Sequence, residues 1–328
     1  MAKDTERFLV TGAAGCIGAW AIRLLLDDGI DVVASDVSED LRRFNLVSHP
    51  RRDEVDFVAL DVTVTADVAR VVEERRITHI VHLAGLQVPF CAANPPLGAM
   101  VNVVGNVNVF DAVRASGRTI GLAYASSAAV FGASSAYSGG VVADASPLMP
   151  DTHYGVYKVA NEGTARIYSL HNGIGSVGLR PFIVYGPGRD QGMTSDATKA
   201  ILAALRGEEF RFKFGGNLLM TYAPDCARAF IESARAAAGS GDSLVLNVPG
   251  RRVGVAQLVA MIETLIPEAA GLLSWETKPI FAPALLAAPA LGDVIGDVPN
   301  TSLEAGVRAT IEHFRRALAD GVLDPAAS

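Results

Sequence analysis

The sequence has few cysteines, few charges and no long apolar run, and each scarcity removes a class of protein. Its three cysteines, Cys16, Cys91 and Cys226, form no C-x-x-C pair and no even framework. That usage fits a reducing compartment and reads as small buried residues. Charged residues make up 19% of the chain, 28 Lys plus Arg against 35 Asp plus Glu, for a net charge of −7. The balance disfavours attraction to a nucleic-acid backbone or an anionic membrane surface, and neither partner is expected. The apolar segment "IFAPALLAAPAL", 280–291, is too short to span a bilayer as a helix and carries two prolines. The opening "MAKDTERFLV" puts charges where a signal peptide needs its apolar core, so a cytoplasmic location is expected. His49, His79, His82, His153, His171 and His313 form no H-E-x-x-H motif and no close Cys/His cluster, and no metal is expected.

What is present is a chain of 328 residues, half of them hydrophobic, enough for one large domain or two interleaved ones. Short β-branched runs ("RFLV", "DVVASD", "VDFVALD", "HIVHLAG", "IGLAYASS", "VGLRPFIVYG") alternate with amphipathic stretches such as "GAWAIRLLLDDG" and "TADVARVVEERR". This is the pattern of an α/β fold, a doubly wound parallel sheet of the Rossmann type. After residue 186 the pattern becomes mostly helical with proline-rich connections. The expected division is a dinucleotide-binding domain over 1–186 with return segments at about 218–249, and a smaller interleaved lobe over 187–217 and 250–328.

In "LVTGAAGCIGAW", Gly12, Gly15 and Gly18 fall three apart just after the first strand. Glycine is needed where a strand turns sharply, a pyrophosphate comes close and a helix packs on the sheet. The spacing alone does not separate such a cradle from a plain turn. Asp36, at the end of the second strand, adds a carboxylate where an adenosine ribose would lie, and so favours NAD over NADP. Arg42 and Arg43 nearby read as a solvated helix face.

Further on, "HYGVYKVANEG" places Tyr154 and Lys158 four apart, on one face of a helix. An ammonium near a phenol favours the phenolate, so Lys158 is expected to lower the Tyr154 pKa from its reference of about 10. Tyr157 points elsewhere on the helix. "YASSAAVFG" ends the fifth strand with Ser126 and Ser127, at the edge where open α/β sheets bind ligands. A serine there can donate to a reacting oxygen while Tyr154 moves its proton.

With these residues in place, the sequence resembles the extended short-chain dehydrogenase/reductase family, also called the NAD-dependent epimerase/dehydratase family. "TGAAGCIG", "LDV", "HLAGLQ", "NVVGN", "YASSAAVFG", "YGVYK" and "LRPFIVYGPGR" occur in that family's order. The resemblance implies NAD as cofactor, with Gly12, Gly15, Cys16, Ile17 and Gly18 in the pyrophosphate loop and Asp36 on the ribose. It implies that Asp61 and Val62 flank the adenine, that Ala84 and Gly85 line the cofactor, and that Asn102 lies near the nicotinamide. Ser127 becomes the catalytic serine, Tyr154 the acid/base and Lys158 the residue that also binds the nicotinamide ribose, while Pro181, Ile183 and Val184 border the ring. The resemblance also implies a homodimer, in which "PLGAMVNVVGNVNVFDAVRAS" and "YGVYKVANEGTARIYSLHNG" pair as a four-helix bundle.

Two departures bear on the substrate. Ile183 stands where nucleotide-sugar members of the family commonly have Asn, and "LLMTYAPD" puts Leu218 where they carry a phosphate-binding Arg. An apolar side chain cannot replace a charge-assisted contact. Candidate substrate contacts are Gln87, Ser127, Ala128 and Arg189, the last for a carboxylate or phosphate; Lys199 and Arg211 read as solvated cations. The leading expectation is an NAD-dependent dehydrogenase of a small sugar, sugar acid or polyol. The second is a nucleotide-sugar epimerase or dehydratase with tightly bound NAD, and the third a catalytically idle NAD-sensing protein.

Overall fold

A computed structural model describes residues 6–48, 51–280 and 285–323. Seven parallel strands form the central sheet in the order Ser243–Asn247, Ser176–Arg180, Gly121–Ala125, His79–His82, Arg7–Thr11, Asp31–Asp36 and Asp56–Ala59. The chain builds outward from Arg7–Thr11 in one direction and then crosses to the other side. The strand order therefore reverses between Arg7–Thr11 and His79–His82, the place where doubly wound sheets open a ligand crevice.

Alternation within the strands explains why the sheet is covered on both sides. Phe8 and Val10 enter one core with the helices Cys16–Asp27 and Ala223–Ala237, whereas Leu9 enters the other with Val109 and Phe110. Helix Cys16–Asp27 closes with Gly29 at φ +70°, beyond an Asp28 cap.

The expected strand "VGLRPFIVYG" divides at Pro181. Ser176–Arg180 stays in the large sheet, while Ile183–Tyr185 pairs with Asn217–Tyr222, which pairs in turn with Arg251–Gly254. Proline has no N–H to continue the first ladder, and the chain changes sheets there. The return segment expected from about residue 218 divides as well. Leu218 and Met220 belong to the smaller lobe's core, and the large sheet is rejoined through helix Ala223–Ala237 and strand Ser243–Asn247. The smaller lobe packs helices Asp196–Arg206, Val255–Leu265 and Leu303–Ala319 around Phe212, Ile262 and Phe314. Of the run 280–291, residues 281–284 lie outside the described residues. Among the described residues no helix is long and apolar enough to cross a membrane.

Candidate active site

A cleft of about 570 Å³ runs along the carboxyl edge of the sheet, from the glycine loop to the smaller lobe. At one end Gly12 and Gly18 leave no room for side chains, and a Cβ on Gly15 would be tight, 3.1 Å from the Gly12 carbonyl. Gly12 takes φ +73°, and a Cβ there would lie 2.7 Å from the Ala84 nitrogen. A Cβ on Gly18 would lie 2.3 Å from the Gly12 carbonyl. Helix Cys16–Asp27 starts at Gly15 with no capping side chain and no acidic residue in its first turn. Its open N–H groups and dipole face the cleft, and this cradle fits a pyrophosphate.

Asp36 is fixed beside the cradle by two backbone donors, Ala14 N at 3.0 Å and Val37 N at 2.8 Å. Each carboxylate oxygen keeps a further lone pair for a ribose hydroxyl. Asp61 accepts from Thr63 N at 2.9 Å and Thr63 Oγ1 at 2.8 Å and lines the same end with Val62. Arg43 is not the solvated cation expected. Only 16% of its side chain is exposed; it donates to the Ala14 carbonyl at 2.7 Å and pairs with Asp190 at 2.7 Å. It thereby ties the glycine loop to the 186–190 turn, which Trp20 Nε1 also holds through the Pro187 carbonyl at 2.9 Å.

Midway along the cleft lie Ser127, Tyr154 and Lys158. Helix His153–Asn172 supplies the last two, and Thr152 caps it by accepting from Gly155 N at 3.0 Å. His153, exposed, stacks near Tyr157, whose hydroxyl donates to the Pro95 carbonyl at 2.9 Å, away from the cleft. Ser127 accepts from Ala129 N at 3.1 Å and hydrogen-bonds Tyr154. Ser126 instead turns inward and donates to Glu162, which is also held by Arg180 through two 2.7 Å contacts.

The electrostatics depart from the sequence-based expectation. Desolvation raises the Tyr154 phenol above its ordinary value, opposed by the Ser127 hydrogen bond and the positive charge of Arg189. Lys158 Nζ sits 5.4 Å from the centre of the tyrosine ring, and burial brings the ammonium itself down to about 8. The expected lowering of Tyr154 by Lys158 is therefore corrected: burial raises the phenol, and the groups that oppose the rise are Ser127 and Arg189, not Lys158. His82, expected as a core histidine, is buried, hydrogen-bonds Thr11 Oγ1 at 2.7 Å, and is pushed down to about 3 by desolvation and then by Lys158.

Most of the expected site residues line the cleft: Gly12, Gly15, Cys16, Ile17, Gly18, Asp36, Asp61, Val62, Ala84, Gly85, Gln87, Ser127, Ala128, Pro181, Val184 and Arg189. Two do not. Ile183 is buried in the smaller lobe's core. Asn102 lies behind Gly85, in a π-helical turn over Met100–Val104, with its amide nitrogen on the Leu86 and Gly98 carbonyls. A Cβ on Gly85 would come within 2.7 Å of the Asn102 Oδ1, so Asn102 shapes the wall rather than the surface. Phe182, in the expected Pro181 to Val184 stretch, lines the cleft as well, and the structure adds Met193, Thr194 and Ile280. No motif announces the last three, which come from two loops. Lys199 is exposed outside the cleft, and Arg211 pairs with Glu276 at 3.3 Å.

Strand order and glycine cradle suit a dinucleotide-binding α/β protein, and Asp36, Ser127, Tyr154 and Lys158 line the cleft beside the cradle as a candidate active site. Residues 8–248 match the model of the NAD dependent epimerase/dehydratase family, and the chain belongs to that family. It is 31% identical to the UDP-glucose 4-epimerase of Mycolicibacterium smegmatis, over 94% of this chain and 98% of the relative. Among solved structures, MoeE5 in complex with UDP-glucuronic acid and NAD matches with a TM-score of 0.76 and 26% identity, covering 95% of this chain and 100% of that one. A partial consensus L-threonine 3-dehydrogenase matches with a TM-score of 0.78 and 25% identity, covering 94% and 99%.

Proposed function

We propose that this NAD-dependent enzyme is a sugar-nucleotide 4-epimerase, a narrower form of the epimerase-or-dehydratase reading placed second on sequence, rather than a net dehydrogenase of a small polyol or sugar acid. The observation that carries the proposal is the alignment with a UDP-glucose 4-epimerase from end to end, through both lobes of the cleft. Bound NAD supplies the hydride acceptor and donor. Gly12, Gly15 and Gly18 leave room for its pyrophosphate, and Asp36 takes the adenosine ribose. Tyr154 exchanges the proton of the substrate hydroxyl at its phenol oxygen, while the Ser127 hydroxyl donates to that same substrate oxygen. Lys158 anchors the nicotinamide ribose.

The test is incubation with UDP-glucose and UDP-glucuronic acid, following epimer formation by chromatography and NADH by absorbance. Epimer without net NADH supports the proposal. Product formed in step with NADH refutes it in favour of the dehydrogenase reading, which Leu218 favours: 1% exposed in strand Asn217–Tyr222, it offers no charge to a diphosphate. NAD binding with no turnover on any substrate would leave the sensing reading.

The same proposal includes a homodimer. Val156, Ile167 and Leu170 lie on one stripe of helix His153–Asn172 and are 45–63% exposed, and Leu97 and Met100 on the neighbouring helical segment are 48% and 45% exposed. Apolar stripes on two adjacent helices suit a bundle shared with a second copy.

A further inference from the structure

We propose that Glu162 is a positioning residue for the reaction: from outside the cleft it holds Ser127 and Pro181 in register with Tyr154 and Lys158. This rests on the roles given to Ser127 and Tyr154 in the epimerase reading and deepens it by naming the group that sets their alignment.

Topology is the first argument. The cleft-lining groups at the centre of the site come from three separate elements. Tyr154 and Lys158 stand on helix His153–Asn172, Ser127 follows strand Gly121–Ala125, and Pro181 follows strand Ser176–Arg180. The helix carries Tyr154, Lys158 and Glu162 four apart down one side, and Glu162 lies beyond the cleft wall. The Glu162 Oε1 accepts from Ser126 Oγ and from Arg180 Nε at 2.7 Å, and its Oε2 accepts from Arg180 Nη2 at 2.7 Å. Ser126 directly precedes Ser127, and Arg180 directly precedes Pro181. One carboxylate therefore joins all three elements.

The closeness of their fit is the second argument. A Cβ on Gly155 would run into the Ala129 carbonyl oxygen and lie 2.8 Å from Pro150 Cβ, so the start of the helix bears on the turn after Ser127 without slack. Ala128 N donates to the Pro181 carbonyl at 3.1 Å and ties that turn to the second strand end. Arg180 lies over Phe131, a further wall residue, 4.9 Å from its ring centre. The hydrogen bond between Ser127 and Tyr154 spans a strand end and a helix, and it holds only while both keep their places. A misplacement of about 1 Å in such a group can cost about a hundredfold in rate.

Energetics is the third argument. Arg180 and Glu162 are 4% and 7% exposed. A buried ion pair is often no more stabilising than apolar residues of like volume, so stability does not account for it. Directional contacts in a buried network rigidify and fix relative positions, which an apolar patch does not do.

Two variants separate positioning from bulk stability. Ser126→Ala cuts the link to the Ser127 strand and leaves the Glu162–Arg180 pair whole, and Glu162→Gln removes the charge at nearly constant shape. At saturating NAD each is expected to lower kcat by about ten- to a hundredfold, with KM and NAD affinity within about twofold of wild type. The second readout is the NMR resonance of the Tyr154 ζ-carbon in protein made with isotope-labelled tyrosine, assigned by its loss in Tyr154→Phe. Ser126→Ala is expected to move it toward its position in Ser127→Ala, where the hydrogen bond is gone altogether. A resonance that stays in place in Ser126→Ala overturns the proposal, and so does a kcat within about twofold of wild type. A merely structural carboxylate would lower the urea midpoint and leave both unmoved. The kcat comparison uses whichever product the wild type forms from UDP-glucose or UDP-glucuronic acid, so accumulating NADH refutes epimerisation and leaves the alignment test in force. Where neither sugar is turned over, the resonance alone decides.

Discussion

Replacing Glu162 by Leu removes the carboxylate that holds Arg180 and Ser126 together under the active site. Arg180 is 4% exposed and Glu162 7%, and the two meet through parallel 2.7 Å contacts. Arg180 stacks over Phe131 and also donates to the Asp144 carbonyl at 2.7 Å, so it cannot swing into water when its partner is lost. An unpaired buried charge of this kind costs about 3–5 kcal/mol, whereas replacing both partners by apolar residues is often close to neutral. Glu162→Leu is therefore expected to lose about 3–5 kcal/mol, Arg180→Leu a similar amount, and the double variant clearly less than the sum. Urea denaturation followed by circular dichroism at constant pH measures all four corners of this cycle. A Glu162→Leu protein within about 1 kcal/mol of wild type, or additive losses in the double variant, would refute the reasoning that desolvated charge dominates here.

Tyr154→Phe is expected to cut turnover by about 10²–10⁴-fold while NAD still binds, checked by product assay beside a dinucleotide titration. Gly18→Ala drives a methyl into the Gly12 carbonyl; a loss of about 1–3 kcal/mol in stability and weaker NAD binding are expected from urea melts and fluorescence titration. His82 refuses a proton down to about 3 in the folded state while the unfolded chain takes one near 6.5, so stability is lost as pH falls below the latter. From 6.5 to 5 this is roughly 2 kcal/mol, and His82→Asn should flatten that slope in urea midpoints taken across the range. Leu170→Glu is expected to convert a dimer to monomer in sedimentation velocity; a wild-type monomer at micromolar concentration refutes the dimer.

The α/β pattern and the site's main residues were legible because each depends on local rules. A strand followed by close-set glycines and a helix, and a carboxylate at the next strand end, are short-range signals that packing does not override. Tyr154 and Lys158 were legible because a four-residue spacing puts both on one helix face. The break at Pro181 was readable in principle from proline chemistry, but which sheet receives Ile183–Tyr185 depends on pairing with Asn217–Tyr222, far away in the chain. Arg43 escaped for the same reason: its partner Asp190 is 147 residues distant, so spacing carries no trace of the pair. Met193 and Ile280 line the cleft only because two segments far apart in the chain converge there.

The pairing of Tyr154 with Lys158 shows where local reasoning stops. Spacing put an ammonium near a phenol and, in water, that proximity would have lowered the phenol's pKa. Spacing does not report burial. In the cleft both charged forms lose hydration, which moves the lysine down to about 8 and the tyrosine up. The contributions that oppose the rise come from outside the helix, from Ser127 at the strand end and Arg189 in the turn after Tyr185. Arg189→Gln should therefore raise the pH limb belonging to Tyr154 in the free enzyme, which the profile of kcat/KM reports. A variant whose limb stays in place would show that the guanidinium's charge does not reach the phenol.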